Sequence, residues 1–454
     1  MKKQCVVIGS GPGGYVAAIR ASQSGLETVA IEDQNIGGVC LNEGCIPSKA
    51  LIEAGHFYQN TLTRNPYGVK VEGSHLDFSA TQSWKDKRVV YKLTKGIEML
   101  LTKNKVEIIR GQAQFIDDST LRVNGQQIEF EHCIIATGST PILLKNIELS
   151  ENVVDSKGAL NFETVPNHLV VIGGGYIGSE LASAYRNLGS QVSIVEAASD
   201  ILVTFDDEMV SLVKKNFKQR KIKMLTQHFV QEIIDHGDKV TLKVNHQDEV
   251  VEIEADKVLV SIGRRPNSGS LNLETTSIEV DDKGFIKTDE YGKTTNSNVY
   301  AIGDVTLGLA LAHKASYEAK AVIENILGKK INIKDKVIPA IAFVEPECAS
   351  VGLELKETDD RHLISKFDYA ANGRAMTLNE NQGFVRLIAE KETNVLVGAQ
   401  IVGLNASELI GECALAIENK LTIKQVTETI HAHPTTNEMI MDAAEELQGL
   451  PIHG

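Results

Sequence analysis

Two cysteines, Cys40 and Cys45, stand in the stretch GGVCLNEGCIPSKA, Gly37 to Ala50, between a glycine pair and a proline. Two thiols at this spacing suit three kinds of chemistry: a structural bridge, half of a metal site, or a redox pair that opens and closes in turnover. Far along the chain, HAHPTTNE places His433 directly before Pro434, with Glu438 close behind. Imidazole exchanges protons near neutral pH, and a carboxylate on its other nitrogen fixes the tautomer and favours imidazolium. The proline predicts a helix beginning there, with Glu438 as a first-turn acid. His431, in the same H-x-H, supports structure in this reading and receives no catalytic or metal role.

The chain that must position these groups has 454 residues, which at roughly 150 per domain predicts about three domains. Its net charge of −14 repels a phosphate backbone, so nucleic-acid binding is excluded as a general role. No apolar run approaches the roughly 20 residues of a membrane span, and MKKQCVVIGSGPGG enters turn chemistry without a cleavable signal. The expectation is a soluble, cytoplasmic protein. Thiols stay reduced there, and six scattered cysteines form no staple framework, which favours a catalytic disulfide. No second thiol pair completes a metal site. Cys5, Cys133, Cys348 and Cys413 sit in apolar surroundings and read as small core residues.

Compared with itself, the chain repeats. CVVIGSGPGGYVAAIRASQSGLETVAIE, from Cys5, and LVVIGGGYIGSELASAYRNLGSQVSIVE, from Leu169, run in step. Each has a β-branched run, a G-x-G-x-x-G, a stretch of helical period, and a second apolar run ending on a carboxylate. That order is strand, turn, helix, strand. The first glycine permits the tight turn, the second lets backbone approach a pyrophosphate, and the third lets helix pack on sheet, with helix N-terminal amides facing the anion. Gly9, Gly11, Gly14 and Glu32 therefore make one dinucleotide site, and Gly173, Gly175, Gly178 and Glu196 a second. AASDILV follows Glu196 with no cation for a 2′-phosphate, so the second site is expected to take NAD over NADP. The first, close to the cysteine pair, is expected to take a flavin dinucleotide.

With these pieces together, GGVCLNEGCIPSK resembles the redox signature of the flavin-dependent pyridine nucleotide-disulfide oxidoreductases. The likeness covers essentially the whole chain, because IIATGS (Ile134 to Ser139), GRRPN (Gly263 to Asn267), YAIGDV (Tyr300 to Val305), LAHKA (Leu311 to Ala315) and HAHPTTNE occur in the family's order. It implies two Rossmann-like dinucleotide-binding domains plus a C-terminal α+β dimerisation domain, with FAD and NAD as cofactors. It further implies that Thr137, Gly138 and Asp304 contact FAD, Asp304 at the ribityl chain. Ala312 and His313 would lie near its ring, Gly263 at NAD, and Lys49 and Glu180 would meet beside the flavin. Cys40 would exchange with substrate and Cys45 contact the flavin, with His433 and Glu438 as base and orienting acid, supplied by the partner of a two-fold dimer.

Among the family's activities, the pattern implies oxidation of protein-bound dihydrolipoamide, with electrons passing through FAD to NAD⁺. Lipoyl domains and the subunit-binding domain of a 2-oxo acid dehydrogenase complex, or glycine cleavage, would be the partners. Glutathione-type reductases resemble GCVPKK, whereas Ser48 stands here; mercuric reductases carry C-terminal cysteines, and EELQGLPIHG has none. A chain serving mainly as a docking or sensor subunit is the alternative of another class. Two positions depart from the family: Val39 replaces its usual threonine and Glu43 its usual valine. An ionised Glu43 about 8 Å from a thiol would oppose the thiolate by roughly 0.5 to 2 kcal/mol.

Motif order places the FAD domain at residues 1–142 and 268–334, the NAD domain at 143–267, and the dimerisation domain at 335–454. VKVEGSHLDF, AQFIDDSTLRVNGQQIEF and KVTLKVNHQDEVVEIEADKVLV alternate like antiparallel ribbons. WKDKRVVYKLTKGIEMLLTKNKV is helical by period, its cations a solvated face. FVRLIAEKETNVLVGAQIVG reads as a hairpin followed by the helix ASELIGECALAIENK.

Overall fold

A computed structural model describes residues 1–63, 65–145, 147–247 and 249–453. The β-branched runs become parallel strands, as fully apolar segments do when helices cover both faces of a sheet. In the first module Thr28–Glu32, Lys2–Ile8 and Gln126–Ile135 lie side by side, with Glu107–Arg110 beyond and Val299–Ala301 returning to pair with Gln126–Ile135. Strands Ala113–Asp117 and Thr120–Val123 extend this sheet as an antiparallel ribbon. The second module has Lys223–Thr226, Gln191–Glu196, His168–Ile172, Lys257–Val260 and Val153–Val154, all parallel. The repeat extends to register: Cys5 pairs with Thr28 as Leu169 does with Val192, and Ile8 with Ile135 as Ile172 does with Val260.

The remaining strands are antiparallel. Phe229–Asp235, Val240–His246 and Glu249–Ala255 form a ribbon inserted in the second module. At the C-terminus, Ala340–Ala342, Cys348–Gly352, Leu396–Val402, Phe384–Glu390 and His362–Asp368 form a sheet covered by helices Ala406–Glu418 and Glu438–Leu447. The expected hairpin is the pair Phe384–Glu390 and Leu396–Val402, and the domain is α+β. Cys5, Cys133, Cys348 and Cys413 are fully buried in these cores, and burial pushes all four thiols up, Cys5 and Cys413 to about 12.

Three local readings need correction. Residues 69–77 of VKVEGSHLDF form no strand; Val69 and Val71 are exposed, and without a partner the alternation has no face to bury. Phe78 opens the helix Phe78–Trp84 instead, under an Asp77 cap. The cationic stretch is helical, but it passes through a π-helical segment, Lys85–Val90, before the α-helix Tyr91–Lys103. Lys85 is not on a solvated face: it is 1% exposed and donates to the Leu160 carbonyl at 2.7 Å. Finally, Pro434 follows a cis peptide bond and starts no helix; the last helix begins at Glu438 itself.

Candidate functional site

Both glycine loops do the same thing in atoms. Gly9 and Gly173 have φ of +95° and +100°, values that favour glycine. A Cβ on Gly14 would sit 1.9 Å from the Gly9 carbonyl oxygen, and one on Gly178 would sit 2.0 Å from that of Gly173, so only hydrogen fits between loop and helix. The helices after these loops, Pro12–Gln23 and Tyr176–Asn187, have no side-chain cap at their N-termini. Their free amides point toward a ligand rather than toward the chain. The closing acids match as well. Glu32 accepts from the Ser10 amide at 2.8 Å and the Gln34 amide at 2.9 Å; Glu196 accepts from the amides of Gly174 and Ala198.

Each loop floors a cavity. The first, of about 860 Å³, is lined by Gly9, Gly11, Glu32, both redox cysteines, Lys49, Thr137, Gly138, Glu180, Asp304 and Ala312. The second, of about 590 Å³, is lined by Gly173, Gly175, Glu196, Gly263 and Asp304. Ser139, Tyr176, Arg264 and Asp304 belong to both walls. Here sequence reasoning missed three residues. Ser139 donates to Asp304 Oδ2 at 2.6 Å, and Arg264 donates to the Ser139 hydroxyl at 2.8 Å, so Asp304 keeps Oδ1 for another donor. Tyr176 fills an unspecified position of the second glycine motif, where the pattern carries no side-chain information. His313 is not among the lining residues; its Nε2 lies 2.9 Å from the Pro339 carbonyl. Among the described residues of the second wall, the only Lys or Arg side chains are Arg264, already bonded to Ser139, and Arg265.

The thiols sit where two short segments meet. Cys40 lies within the helical turn Gly38–Glu43 rather than in an open turn, and Cys45 is the first residue of helix Cys45–Leu62. Both are reduced. Cys45 is exposed only into the concave cavity, where surrounding protein still shields it from bulk water. The Cys40 thiol donates to Cys45, and this bond with the nearby Lys49 ammonium outweighs burial and Glu180, bringing Cys45 down to about 7. The same bond, assisted by burial, pushes Cys40 far up. The pair thus loses its first proton more readily than an ordinary thiol and holds its second more tightly.

Lys49, one helical turn beyond Cys45, reaches Glu180 of the second module at 2.7 Å. Glu180 is 4% exposed and also accepts the Phe343 amide at 3.0 Å, while the Lys49 ammonium lies 4.3 Å from the Phe343 ring centre. This pair stitches three parts of the chain together beside the thiols. Glu43, expected to oppose the thiolate, is instead ion-paired with Lys157 at 2.5 Å; a neighbouring cation cancels most of a carboxylate's field at a distance.

His433 and Glu438 meet each other but not the cysteines. His433 Nδ1 lies 2.9 Å from Glu438 Oε1, and the other carboxylate oxygen takes the Thr435 amide at 2.8 Å. Burial works to raise the Glu438 carboxyl, but the amide and His433 together hold it below its ordinary value. The His433 side chain is 82% exposed, and neither residue lines the thiol cavity of its own chain. His431 is tied to Glu412 at 2.8 Å, which also accepts from Asn437, a supporting role.

Comparison with known proteins decides the family. The pyridine nucleotide-disulphide oxidoreductase model matches residues 3–319, and the dimerisation-domain model of that family matches residues 338–444. The chain belongs to the pyridine nucleotide-disulphide oxidoreductases. Similar relatives include the dihydrolipoyl dehydrogenase of Geobacillus stearothermophilus, 47% identical over 100% of this chain and 98% of the relative. That of Staphylococcus aureus is 48% identical over 99% and 97%. Among solved structures, LpdA from Mycobacterium tuberculosis superposes with a TM-score of 0.92 at 25% identity, covering 98% of this chain and 99% of that one. The HOCl-induced flavoprotein disulfide reductase RclA from Escherichia coli gives 0.88 at 29%, covering 97% and 99%. As a member of this family the protein uses FAD and NAD(H). The two cavities fit them: the uncapped helix ends would receive the pyrophosphates, and Glu32, Glu196 and Asp304 would offer acceptors for hydroxyls. Among the described residues no helix is long and apolar enough to cross a membrane.

Proposed function

We propose that this protein is a dihydrolipoyl dehydrogenase, oxidising protein-bound dihydrolipoamide to lipoamide with NAD⁺ as final acceptor. The observation that carries the reading is the placement of Cys40 and Cys45 together on the wall of the first cavity, with Lys49 one helical turn from Cys45 and reaching Glu180 at 2.7 Å. Full-length similarity to dihydrolipoyl dehydrogenases supports the choice of substrate. The working division is FAD domain 1–142 with 268–334, NAD domain 143–267, and dimerisation domain 335–454.

Starting from the oxidised Cys40–Cys45 disulfide, His433 takes the proton from one substrate thiol, and the resulting thiolate attacks Cys40 Sγ. The S–S bond breaks toward Cys45, the better leaving group because its thiolate is already stabilised. The second substrate thiol, deprotonated in turn, displaces Cys40 from the mixed disulfide. Cyclic disulfide product leaves, and the electron pair remains on the enzyme dithiol. Cys40, leaving as a thiolate, takes up one of the two substrate protons and donates it in a hydrogen bond to Cys45, while the other proton stays on His433. FAD, which Gly9, Gly11, Glu32 and Asp304 would hold in the first cavity, would supply the two-electron chemistry linking the dithiol to NAD⁺. Glu438 keeps the His433 ring oriented and favours its protonated form.

In this reading the base acts in trans, supplied by the second subunit of the homodimer, since His433 does not line the cavity that holds its own chain's thiols. Cys45→Ser and His433→Gln, each inactive alone, test it when assembled in equal amounts. Half of the dimers are then mixed, each with one intact site, and about a quarter of all sites recover. If mixed dimers form and no activity returns, the base belongs to its own chain. The lipoyl domains and subunit-binding domain of a 2-oxo acid dehydrogenase complex are the proposed partners.

A further inference from the structure

On a chain of net charge −14, one helical face is cationic. Lys87, Arg88 and Lys92 are exposed along the rod that runs from the π-helical segment Lys85–Val90 into Tyr91–Lys103. Among the described residues no carboxylate lies within ion-pair distance of any of the three, whereas Lys95 is already paired with Glu98 at 2.6 Å. Large side chains interleave with them: Trp84 is 41%, Tyr91 60% and Met99 72% exposed. Exposed aromatics and arginine are what interface cores are made of, and bare lysines are what steer an acidic partner. The π-helical turn has a local cause. Lys85 turns inward to the Leu160 carbonyl, and its neighbours Lys87 and Arg88 remain outside.

This rod packs beside the turn that carries Cys40. Thr94 donates to the Asn42 side-chain oxygen at 3.3 Å, and the Asn42 amide in turn holds the carbonyls of Ile36 at 3.0 Å and Gly38 at 2.8 Å. Asn42 is in the same helical turn as Cys40. A partner resting on the rod is therefore registered directly against the turn that carries the exchanging thiol. We infer that the face of Trp84, Lys87, Arg88, Tyr91, Lys92 and Met99 docks the acidic carrier domain on which the dithiol substrate travels. This rests on the dihydrolipoamide reading of the site. A second copy of the chain is a poor occupant, because a two-fold contact through this face sets its cations against themselves.

The test compares two substrates on the holoenzyme: free dihydrolipoamide, and a dihydrolipoyl group on an isolated acidic lipoyl domain. Arg88→Glu/Lys92→Glu is expected to lower kcat/KM for the domain-borne substrate by about tenfold or more at low salt, and to flatten its salt dependence. Free dihydrolipoamide turnover stays within about twofold. Arg88→Lys retains the domain-borne rate. Lys283→Glu/Lys330→Glu, equal in charge change but remote in sequence, leaves both rates unaltered. Equal losses on both substrates, no loss on either, or the same loss from the control pair would overturn the docking surface, as would a change of oligomeric state in the Arg88/Lys92 variant. Failure of the unsubstituted enzyme to oxidise either substrate strikes the function reading instead.

Discussion

The two glycine modules are built to one plan, with the same strand register, loop dihedrals and acid at the end of the second strand, yet they treat a ligand differently. Over the first loop the redox segment forms a roof. The Gly37 amide donates to the Ser10 carbonyl at 2.9 Å, and the Gly38 Cα lies 3.9 Å from where a Cβ on Gly11 would be. The second loop is crossed in the same way, the Leu202 amide donating to the Gly174 carbonyl at 2.9 Å, but that cover stops short of the second glycine: a Cβ on Gly175 would meet no atom within 4 Å. One fold element thus offers a covered second glycine in the first module and an open one in the second. The difference lies in how far the crossing segment reaches: Gly37 and Gly38 extend over Gly11, whereas Ile201 and Leu202 stop at Gly174.

The sharpest way to break this comparison is a methyl group in each loop. Gly38→Ala would push a Cβ to 2.6 Å from Gly11 Cα at a φ of +60°, lifting the roof. The expected outcome is protein purified largely without FAD, read from its visible absorbance. Gly175→Ala keeps the fold and the FAD but obstructs the pyrophosphate's approach to the backbone, weakening NADH binding by about tenfold or more, roughly 1.4 kcal/mol. If both substitutions disturb both cofactors alike, the roofed and open loops are not distinct.

A smaller effect tests the roof's chemistry. Alkylation of Cys45 should rise with pH around a midpoint of about 7, since only the thiolate reacts and its fraction grows as pH passes that value. Cys40→Ala should move the midpoint up furthest, because the Cys40 hydrogen bond is the largest cause of the depression, and Lys49→Met should move it less. A midpoint that ignores Cys40 would remove the coupling of the two thiols. At the open site, Glu196→Ala should weaken NADH by about 1 kcal/mol and narrow the preference over NADPH, measured by titration with both. Smallest is Glu43→Gln, which breaks the contact with half-exposed Lys157 and should cost about 0 to 1 kcal/mol in denaturant unfolding. A Cys45 midpoint shifted by this change as strongly as by Lys49→Met would show that Lys157 does not neutralise Glu43.

Legibility in the sequence followed locality. The glycine loops could be read because each glycine answers a steric demand within its own motif, and the hairpin from Phe384 because its strands and turn are contiguous. The strand expected in VKVEGSHLDF misled because alternation says nothing about whether a neighbour exists to pair with. The chain Arg264 to Ser139 to Asp304 was invisible for a related reason. Its members come from three separate segments, and each residue type is commonplace alone. Glu43 could be placed near the thiols, but its partner Lys157 lies in the second module, so its charge looked free when it is paired. Lys85 looked like one more surface cation, and only the folded neighbourhood shows a carbonyl waiting for it.

The Gly37 to Ser10 hydrogen bond gives the protein a single lifetime for two possessions. Local opening of the segment from Gly37 to Cys45 uncovers the first cavity and, in the same event, scatters the thiolate's partners. The cover of the first loop and the setting of the thiol pair are therefore one structural unit, and what loosens the one loosens the other.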